Sequence, residues 1–468
     1  MHPTRSLSDG SSFFWYRLKM SNPSESEIMS TTILVDVQLQ RTDTGEHDAS
    51  LQELRQLIET LGWKIAGTLT QKMSSLNAAS LIGPGKLEEL SELVKAPPEV
   101  DSVVFDHELT TTQVRNIREA TGVDVYDRPA IILEIFHRHA RTKEAQLQVE
   151  LARLQYLAPR ERVVGAKERR GGGRGARGVS ESFHELERRQ VRDRISELQR
   201  ELEAVHTDQV ERRRHREGLS KVAIIGYTNA GKSSLMRALT SSDVLVADQL
   251  FATLDTTVRA LQPETQPRIL VSDTVGFIRN LPHDLVASFR STLDEALDAS
   301  LLLHVVDASD PSLRSHIQVT REVLESIDAR KLPSLLILNK IDAVDLSQEA
   351  VLKREFPDAI PMSALNPKDI EALHERLVRF FLDDMTEVDL VVPYGKEGVL
   401  AEIRKNIHVL RESYEEKGVC LTIKATPGTL AALKRRLAES TLLRSEPFTQ
   451  LYQLELESGH QHPKNQSP

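Results

Sequence analysis

Cysteine is nearly missing from this chain: Cys420 is the single one in 468 residues. That excludes a disulfide framework and a cysteine-built zinc site, and it suits a reducing compartment. Long apolar runs are missing too. None approaches the roughly 20 residues needed to cross a bilayer, which excludes an integral membrane span. The aromatic cluster Phe13-Phe14-Trp15-Tyr16 has neither an apolar core nor a small-residue cleavage site around it, so no secretory leader is read there and a cytoplasmic protein is expected. Aromatic residues make up only 4% against 40% hydrophobic and 28% charged, a soluble globular composition that is neither collagenous nor wholly disordered. A general excess of positive charge is also lacking. The net charge of −9 argues against a protein that coats nucleic acid as a whole.

That average hides one reversal. Between Arg160 and Gly178 stand Arg160, Arg162, Lys167, Arg169, Arg170, Arg174 and Arg177 against Glu161 and Glu168, in a stretch rich in glycine. Such an island is a localised footprint, and Arg169, Arg170, Arg174 and Arg177 are its candidate RNA-contacting residues. Its flanks carry helical seams. Phe136, Ala140, Lys143, Leu147, Leu151, Leu154 and Ala158 recur three or four apart in what reads as continuous helix from Pro129. Val191, Ile195, Leu198, Leu202 and Val205 do the same beyond the island. Two seams joined by a loop describe an antiparallel hairpin with the basic loop, 160–180, at its tip. An arm of about 28 residues reaches roughly 40 Å.

Before the hairpin, strands at Ile33–Val37, Trp63–Leu69 and Val103–Phe105 alternate with helices, giving a small α/β unit that ends near Arg128. After it, Lys221–Ile225 opens a longer α/β segment. Near the C-terminus a βαβ-like pattern follows, with strands at 388–392 and 419–425 and helices at 398–416 and 429–437.

The chemistry sits in the longer segment. Directly after the strand comes Gly226-Tyr227-Thr228-Asn229-Ala230-Gly231-Lys232-Ser233, a complete G-x-x-x-x-G-K-S. Its glycines let backbone N–H groups cradle phosphates, Lys232 neutralises β/γ oxygens, and the Ser233 hydroxyl ligates Mg²⁺. Next, Asp273-Thr274-Val275-Gly276 ends a second strand: the carboxylate can serve the metal through water and the Gly276 N–H can bond a γ-phosphate. Asn339-Lys340-Ile341-Asp342 ends a third. Asp342 can accept from both guanine N1–H and the 2-amino group, a donor pair that adenine lacks. Ser363-Ala364-Leu365 is read as the last base-contacting loop. Each tetrapeptide alone is weak; in this order, each at a strand's C-terminal end, they specify a guanine-nucleotide site using GTP and Mg²⁺.

Between the first two lies Phe251-Ala252-Thr253-Leu254-Asp255-Thr256-Thr257. One threonine there is expected to complete the Mg²⁺ shell, and spacing leaves Thr253, Thr256 and Thr257 open. The position after Gly276, where many GTPases hold a water-orienting glutamine, is Phe277, so slow unaided hydrolysis is expected. His137 and His139 are two apart and face different directions; they are not read as a metal pair. His304 is read as a buried strand histidine, and Gly83-Pro84-Gly85-Lys86 as a turn heading a helix.

The expected fold class is α/β. A P-loop GTPase domain with a mostly parallel sheet (219–385) is preceded by a small α/β domain (31–128) and a long helical hairpin (129–218). A small α+β C-terminal domain (386–458) follows, and 1–30 and 459–468 are tails. With these motifs the chain resembles the HflX family of ribosome-associated GTPases. Ile82-Gly83-Pro84-Gly85-Lys86-Leu87-Glu88-Glu89-Leu90, Tyr126-Asp127-Arg128 and Gln146-Leu147-Gln148-Val149-Glu150-Leu151-Ala152 look like its characteristic runs, and residues 31 to 384 are covered. The resemblance implies Thr253 as the metal-ligating threonine. It also implies the large ribosomal subunit as partner and activator of a monomeric GTPase, and the splitting of stalled ribosomes. The chain departs from the family at Val179-Ser180-Glu181-Ser182-Phe183-His184-Glu185, where Pro-Gly-Glu-Thr-Gln-Leu-Glu is usual, and at Thr256 and Asn366-Pro367. A regulatory GTP-binding switch that docks another RNA or a protein is the alternative reading.

Overall fold

The structure is a computed structural model describing residues 30–40, 44–168, 189–205, 219–241, 250–251, 257–279, 297–383, 385–425, 428–431, 433 and 435. It divides into two compact units. The first holds most residues up to Arg376; the second holds Leu377 onward with Arg213–Ser220 and Thr265–Arg268.

Within the first unit, β1 (Thr31–Leu39), β2 (Lys64–Met73), β3 (Ser102–Phe105) and β4 (Asp124–Asp127) form a wholly parallel sheet in the order β2-β1-β3-β4. It is covered on both faces, as parallel sheets require. Side chains along β1 point alternately to the two faces. Ile33, Val35 and Val37 join Leu90, Val103, Phe105 and Ile117 on one. Leu34 joins Leu54, Leu57, Ile58, Ile131 and Phe136 on the other. Each aliphatic side chain so enclosed contributes about 1.5–3 kcal/mol. The helices between these strands are α1 (Thr44–Thr60), α2 (Pro84–Lys95), α3 (Thr111–Thr121) and α4 (Arg128–His139). α3 begins in a capping box, Thr110 with Gln113, and Asp127 caps α4 by accepting from the Ala130 N–H.

The helix read as continuous from Pro129 is in fact two. α4 stops at His139, where Ala140 turns extended (ψ 111°), and α5 (Lys143–Glu168) starts afresh with the Thr142 hydroxyl accepting from the Ala145 N–H. The physical reason is that the halves serve different cores. Ile131, Ile132, Leu133, Ile135 and Phe136 bury into the sheet cluster. Leu147, Leu151 and Leu154 instead pack with Leu198, Ile195, Leu202 and Val205 of the helix α6 at 189–205. That seam, with the Arg194–Glu150 ion pair at 2.9 Å, holds the two hairpin arms together. Arg169, Arg170, Arg174 and Arg177 lie outside the described residues.

A six-stranded sheet follows in the order β10-β9-β8-β5-β7-β6. Its strands are β5 (Ser220–Gly226), β6 (Thr257–Ala260), β7 (Ile269–Asp273), β8 (Leu301–Asp307), β9 (Ser334–Asn339) and β10 (Ile360–Pro361). Only the edge pair β6–β7 is antiparallel among the pairings recorded. β5 and β8 are apolar almost throughout, as central strands buried on both faces are. The helices are α7 (Lys232–Thr240), α8 (Leu313–Ser326), α9 (Leu346–Glu355) and α10 (Pro367–Asp383).

In the second unit β11 (Thr386–Val392), β13 (Gly418–Ala425) and β12 (His408–Glu415) form an antiparallel sheet in that order. This corrects the βαβ-like expectation. The helix expected over 398–416 is only α11 (Glu397–Asn406), and the remainder is β12. Leu400, Ile403, Ile407 and Leu410 mimic a helical stripe, but pairing with β13 supplies backbone partners that decide for the strand. Of the helix expected at 429–437, only part falls among the described residues.

His304, on β8, is 6% exposed and its Nε2 has no hydrogen-bond partner among the described residues. Burial lowers its pKa to about 3, with Arg321 and Lys232 acting in the same direction. A depressed histidine pKa means that stability is complete above about 6.5 and is lost as pH falls toward 3. Urea unfolding at pH 5 against pH 7 is expected to show a loss of about 2 kcal/mol from this residue. His304→Leu should remove that share of the acid sensitivity; an unchanged pH dependence in the variant would contradict the assignment.

Candidate functional site

Backbone crowding sets the shape of the loop between β5 and α7. Gly226 has φ +142°, and a Cβ there would meet the Val305 carbonyl oxygen at 2.1 Å. Gly231 has φ +89°, with a Cβ position 2.2 Å from Asn339 Nδ2. Neither position accepts an L side chain, so the glycines of the G-x-x-x-x-G-K-S run are demanded by close approach as well as by conformation. The loop leads directly into the start of α7, where helix-end N–H groups and the macrodipole favour an anion.

Lys232 is 7% exposed, and its Nζ donates to the Tyr227 carbonyl at 2.7 Å. Burial lowers its pKa to about 8, opposed by Asp273. A phosphate in the cradle offers this ammonium a better acceptor than a carbonyl. Ser233 Oγ donates to Asp273 Oδ2 at 2.9 Å, and Asp273 is fully buried. A hydroxyl and a carboxylate this close are a hard oxygen pair suited to Mg²⁺ directly and through water, so the residues fit the metal. Among the described residues no cluster of three His, Cys, Asp or Glu side chains suggests another metal.

Gly276 presses against the loop, its Cβ position 2.9 Å from Thr228 Cα and 3.0 Å from Lys232 Nζ. The Phe277 N–H donates to the Gly226 carbonyl at 3.1 Å, and the Thr228 N–H donates to the Phe277 carbonyl at 2.8 Å. The Phe277 ring is buried beside Ala223, Ile225 and Leu302. It is a packing group and offers nothing to orient water.

Asn339 works as a bracket between loops. Its Nδ2 donates to the Ala230 carbonyl at 2.9 Å while its Oδ1 accepts from the Ala364 N–H at 2.9 Å. Lys340, with φ +60°, pairs with Asp307 at 2.7 Å, and Asp342 lies exposed in a short turn, Ile341–Ala343. The Ser363 N–H donates to Asp369 Oδ2, and Ser363 Oγ accepts from the Leu365 N–H. The structure therefore brings Gly226 to Ser233, Asp273 to Gly276, Asn339 to Asp342 and Ser363 to Leu365 to one end of the six-stranded sheet. Phe251 joins them, its N–H donating to Thr228 Oγ1 at 3.0 Å. Ala252, Thr253, Leu254, Asp255 and Thr256 lie outside the described residues.

Sequence reasoning missed the partners that hold this constellation from outside it. Asp307 and Asp369 position two of the loops. Phe136 meets the Phe251 ring edge-on (4.7 Å, 85°), and His139 Nδ1 lies 2.9 Å from the Phe251 carbonyl. A carbonyl only accepts, so His139 carries its proton on Nδ1. Burial keeps its pKa low. Glu53, from α1, accepts from the Tyr227 hydroxyl. Only the helical spacing of Phe136 and His139 was visible in the chain, without a signal of what they face.

Three family models together match residues 48 to 340 almost without a gap. One described as a GTP-binding GTPase N-terminal domain matches residues 48–137, and a GTP-binding GTPase middle region matches 139–216. A third, described as a 50S ribosome-binding GTPase, matches 221–340. The GTPase HflX of Gluconacetobacter diazotrophicus is 50% identical over 442 residues, covering 87% of this chain and 97% of that protein. The GTPase HflX of Alkalihalophilus pseudofirmus is 39% identical, covering 88% and 97%. A crystal structure of a GTP-binding protein from Sulfolobus solfataricus in complex with GDP shares 27% identity over 75% of this chain and 99% of that one, with a TM-score of 0.41.

The bracket and the base reader separate experimentally. Asn339→Ala loses two hydrogen bonds and is expected to cost about 1–3 kcal/mol in nucleotide affinity, equally for guanine and inosine nucleotides. Asp342→Asn is expected to lose guanine selectively and to favour xanthine, since the acceptor becomes an amide. Competition binding with the three bases checks both; an unchanged base preference in Asp342→Asn would remove the base-reading role.

Proposed function

The chain belongs to the HflX family of GTPases and hydrolyses GTP with Mg²⁺, and from that premise we propose that it acts on the large ribosomal subunit and splits stalled ribosomes. At the nucleotide, the loop 226–233 wraps the phosphates, Lys232 leaves the Tyr227 carbonyl for the β/γ oxygens, and Ser233 with Thr253 holds the metal while Asp273 assists through water. Mg²⁺ held by Ser233 and Thr253 would supply positive charge against the negative charge that develops on the phosphates during hydrolysis. The Gly276 N–H takes the γ-phosphate, which makes the segment after Asp273 report whether that phosphate is present. Asp342 reads the base, and Ser363, Ala364 and Leu365 close over it.

Two observations support the ribosomal reading. The observation that carries it is the paired hairpin: arms seamed by Leu147, Leu151, Leu154 and Leu198 flank a basic, glycine-rich sequence. The 26 residues of α5 alone extend about 39 Å. An arm of that length, braced by the second helix, can deliver Arg169, Arg170, Arg174 and Arg177 into a narrow RNA cavity, which a compact switch does not require. The second is Phe277, whose burial leaves water positioning to a partner or to rearrangement. Slow hydrolysis alone and acceleration by the large subunit follow. The single free thiol agrees with work in a reducing compartment such as the cytoplasm.

Neutralising Arg169, Arg170, Arg174 and Arg177 is expected to weaken large-subunit binding and to lower the slope of log affinity against log salt by about three. GTP turnover measured with and without purified large subunits is expected to rise strongly in their presence. Turnover unaffected by the subunit would favour a regulatory switch docking another RNA or a protein.

A further inference from the structure

Tyr227, the first variable residue of the phosphate loop, is 3% exposed and belongs to a network that begins on another sheet. Its hydroxyl donates to Glu53 Oε1 at 2.5 Å and accepts from the backbone N–H of Arg279 at 2.8 Å. A phenol has one hydrogen to donate, and donating it to the Glu53 carboxylate leaves an oxygen lone pair to accept from the Arg279 N–H. Glu53 is itself fixed: its Oε2 pairs with Arg128, which is 1% exposed and also bonds Asp106 at 2.8 Å and Ser50 Oγ at 3.1 Å. The Tyr227 ring stacks on His316 (3.7 Å, 11°), which limits its swing. Arg279 is three residues beyond Gly276. Together with the Phe277–Gly226 and Thr228–Phe277 bonds, the Tyr227–Arg279 bond clamps the segment 276–279 onto the phosphate loop.

We propose that Glu53 is a positioning residue for the nucleotide switch: through the Tyr227 hydroxyl, the N-terminal α/β domain holds the segment after Gly276 down on the phosphate loop and thereby sets the preference between GTP and GDP. The inference rests on the GTP site and is independent of any ribosomal role. In the clamped arrangement the Cβ position of Gly276 is 3.0 Å from Lys232 Nζ. Lys232 Nζ, beside Gly276 and bonded to the Tyr227 carbonyl, fills the space that a γ-phosphate oxygen shared by Lys232 and the Gly276 N–H would take, so on this proposal the entry of that oxygen draws the segment outward against the Tyr227–Arg279 bond. GDP makes no such demand. The same tyrosine carries the carbonyl that Lys232 bonds, at 2.7 Å, so lysine and segment are released from one residue. A motion of the N-terminal sheet that withdraws Glu53 would favour the triphosphate from outside the nucleotide site.

Calorimetry on the full chain with GDP and with a non-hydrolysable GTP analogue tests this in Tyr227→Phe, Glu53→Leu and the double variant. Tyr227→Phe keeps the ring stack and removes only the hydroxyl. Each single variant is expected to raise the GTP-analogue affinity relative to GDP by about three- to tenfold, the range for one hydrogen bond. The GTP-to-GDP ratio of the double variant should match that of Tyr227→Phe, because Glu53 acts on the segment through the Tyr227 hydroxyl, whereas the lost Glu53–Arg128 pair affects both nucleotides alike. A merely structural role would move both affinities together or leave the ratio alone, and either result overturns the proposal. A ratio that falls, or single effects that add, overturns it as well. Loss of binding to both nucleotides in the parent chain would instead strike the GTP site itself.

Discussion

A guanidinium shut away from water organises the first unit. Arg128 sits where β4 passes into α4, and a buried charge of this kind persists only if carboxylates meet it with good geometry; removing one partner of such a pair costs about 3–5 kcal/mol. Asp106, just past β3, and Glu53, on α1, are both committed to it, and Ser50 adds its hydroxyl and carbonyl. The arrangement draws α1 and the carboxyl ends of the strands to one point. It also leaves one Glu53 oxygen over, and Tyr227 occupies that oxygen. Burial, together with the neighbouring Glu53, pushes the Tyr227 phenol well above its ordinary pKa, so the hydroxyl keeps its proton and remains a donor.

Apolar packing makes the same connection without charge. Leu34, Leu57, Ile131 and Phe136 of the N-terminal sheet lie in one cluster with Tyr227, Leu250, Phe251, Val275 and Ile278 around the nucleotide loops. Phe251 is held at ring, N–H and carbonyl by Phe136, Thr228 and His139, in a left-handed conformation (φ +57°) that a phenylalanine seldom adopts unaided. Strain of this sort persists only where surroundings over-determine it. The loops that must move with the γ-phosphate are therefore fastened to the N-terminal domain as well as to their own sheet.

What could be read from the chain follows from how local each requirement is. That Gly226, Gly231, Lys232, Ser233, Asp273, Gly276, Asn339 and Asp342 gather at one end of the sheet was legible because each stands at a fixed offset from a strand end, as expected of residues that serve phosphate, metal and base. The α/β alternation was legible because β1, β5 and β8 are apolar runs of strand length. Where two choices depended on distant partners, the pattern misled. The spacing of apolar residues runs unbroken through Ala140, yet the chain turns there because α4 and α5 bury into different cores. Leu400 to Leu410 keeps helical spacing, yet His408 onward pairs with β13. Glu53 and Tyr227 are 174 residues apart, and no spacing rule carries that distance.

Asn339 shows why the recognition elements behave as one device. Its amide closes the phosphate loop at Ala230 and the base loop at Ala364, so base and phosphates share a rigid connection although their motifs are far apart in sequence. Gly231 must be glycine because that amide comes within 2.2 Å of where a Cβ would stand. The base end is thus stiff, bracketed by one side chain, while the γ-phosphate end is held by hydrogen bonds to Tyr227, Gly226 and Thr228 that can exchange for phosphate contacts. On the site assignment proposed above, stiffness at one end and exchangeable bonds at the other would let the guanine be read with little change in the fold while the third phosphate changes it. That asymmetry is what a nucleotide switch requires, since a ligand shifts a conformational balance only by the difference in its contacts with the two states.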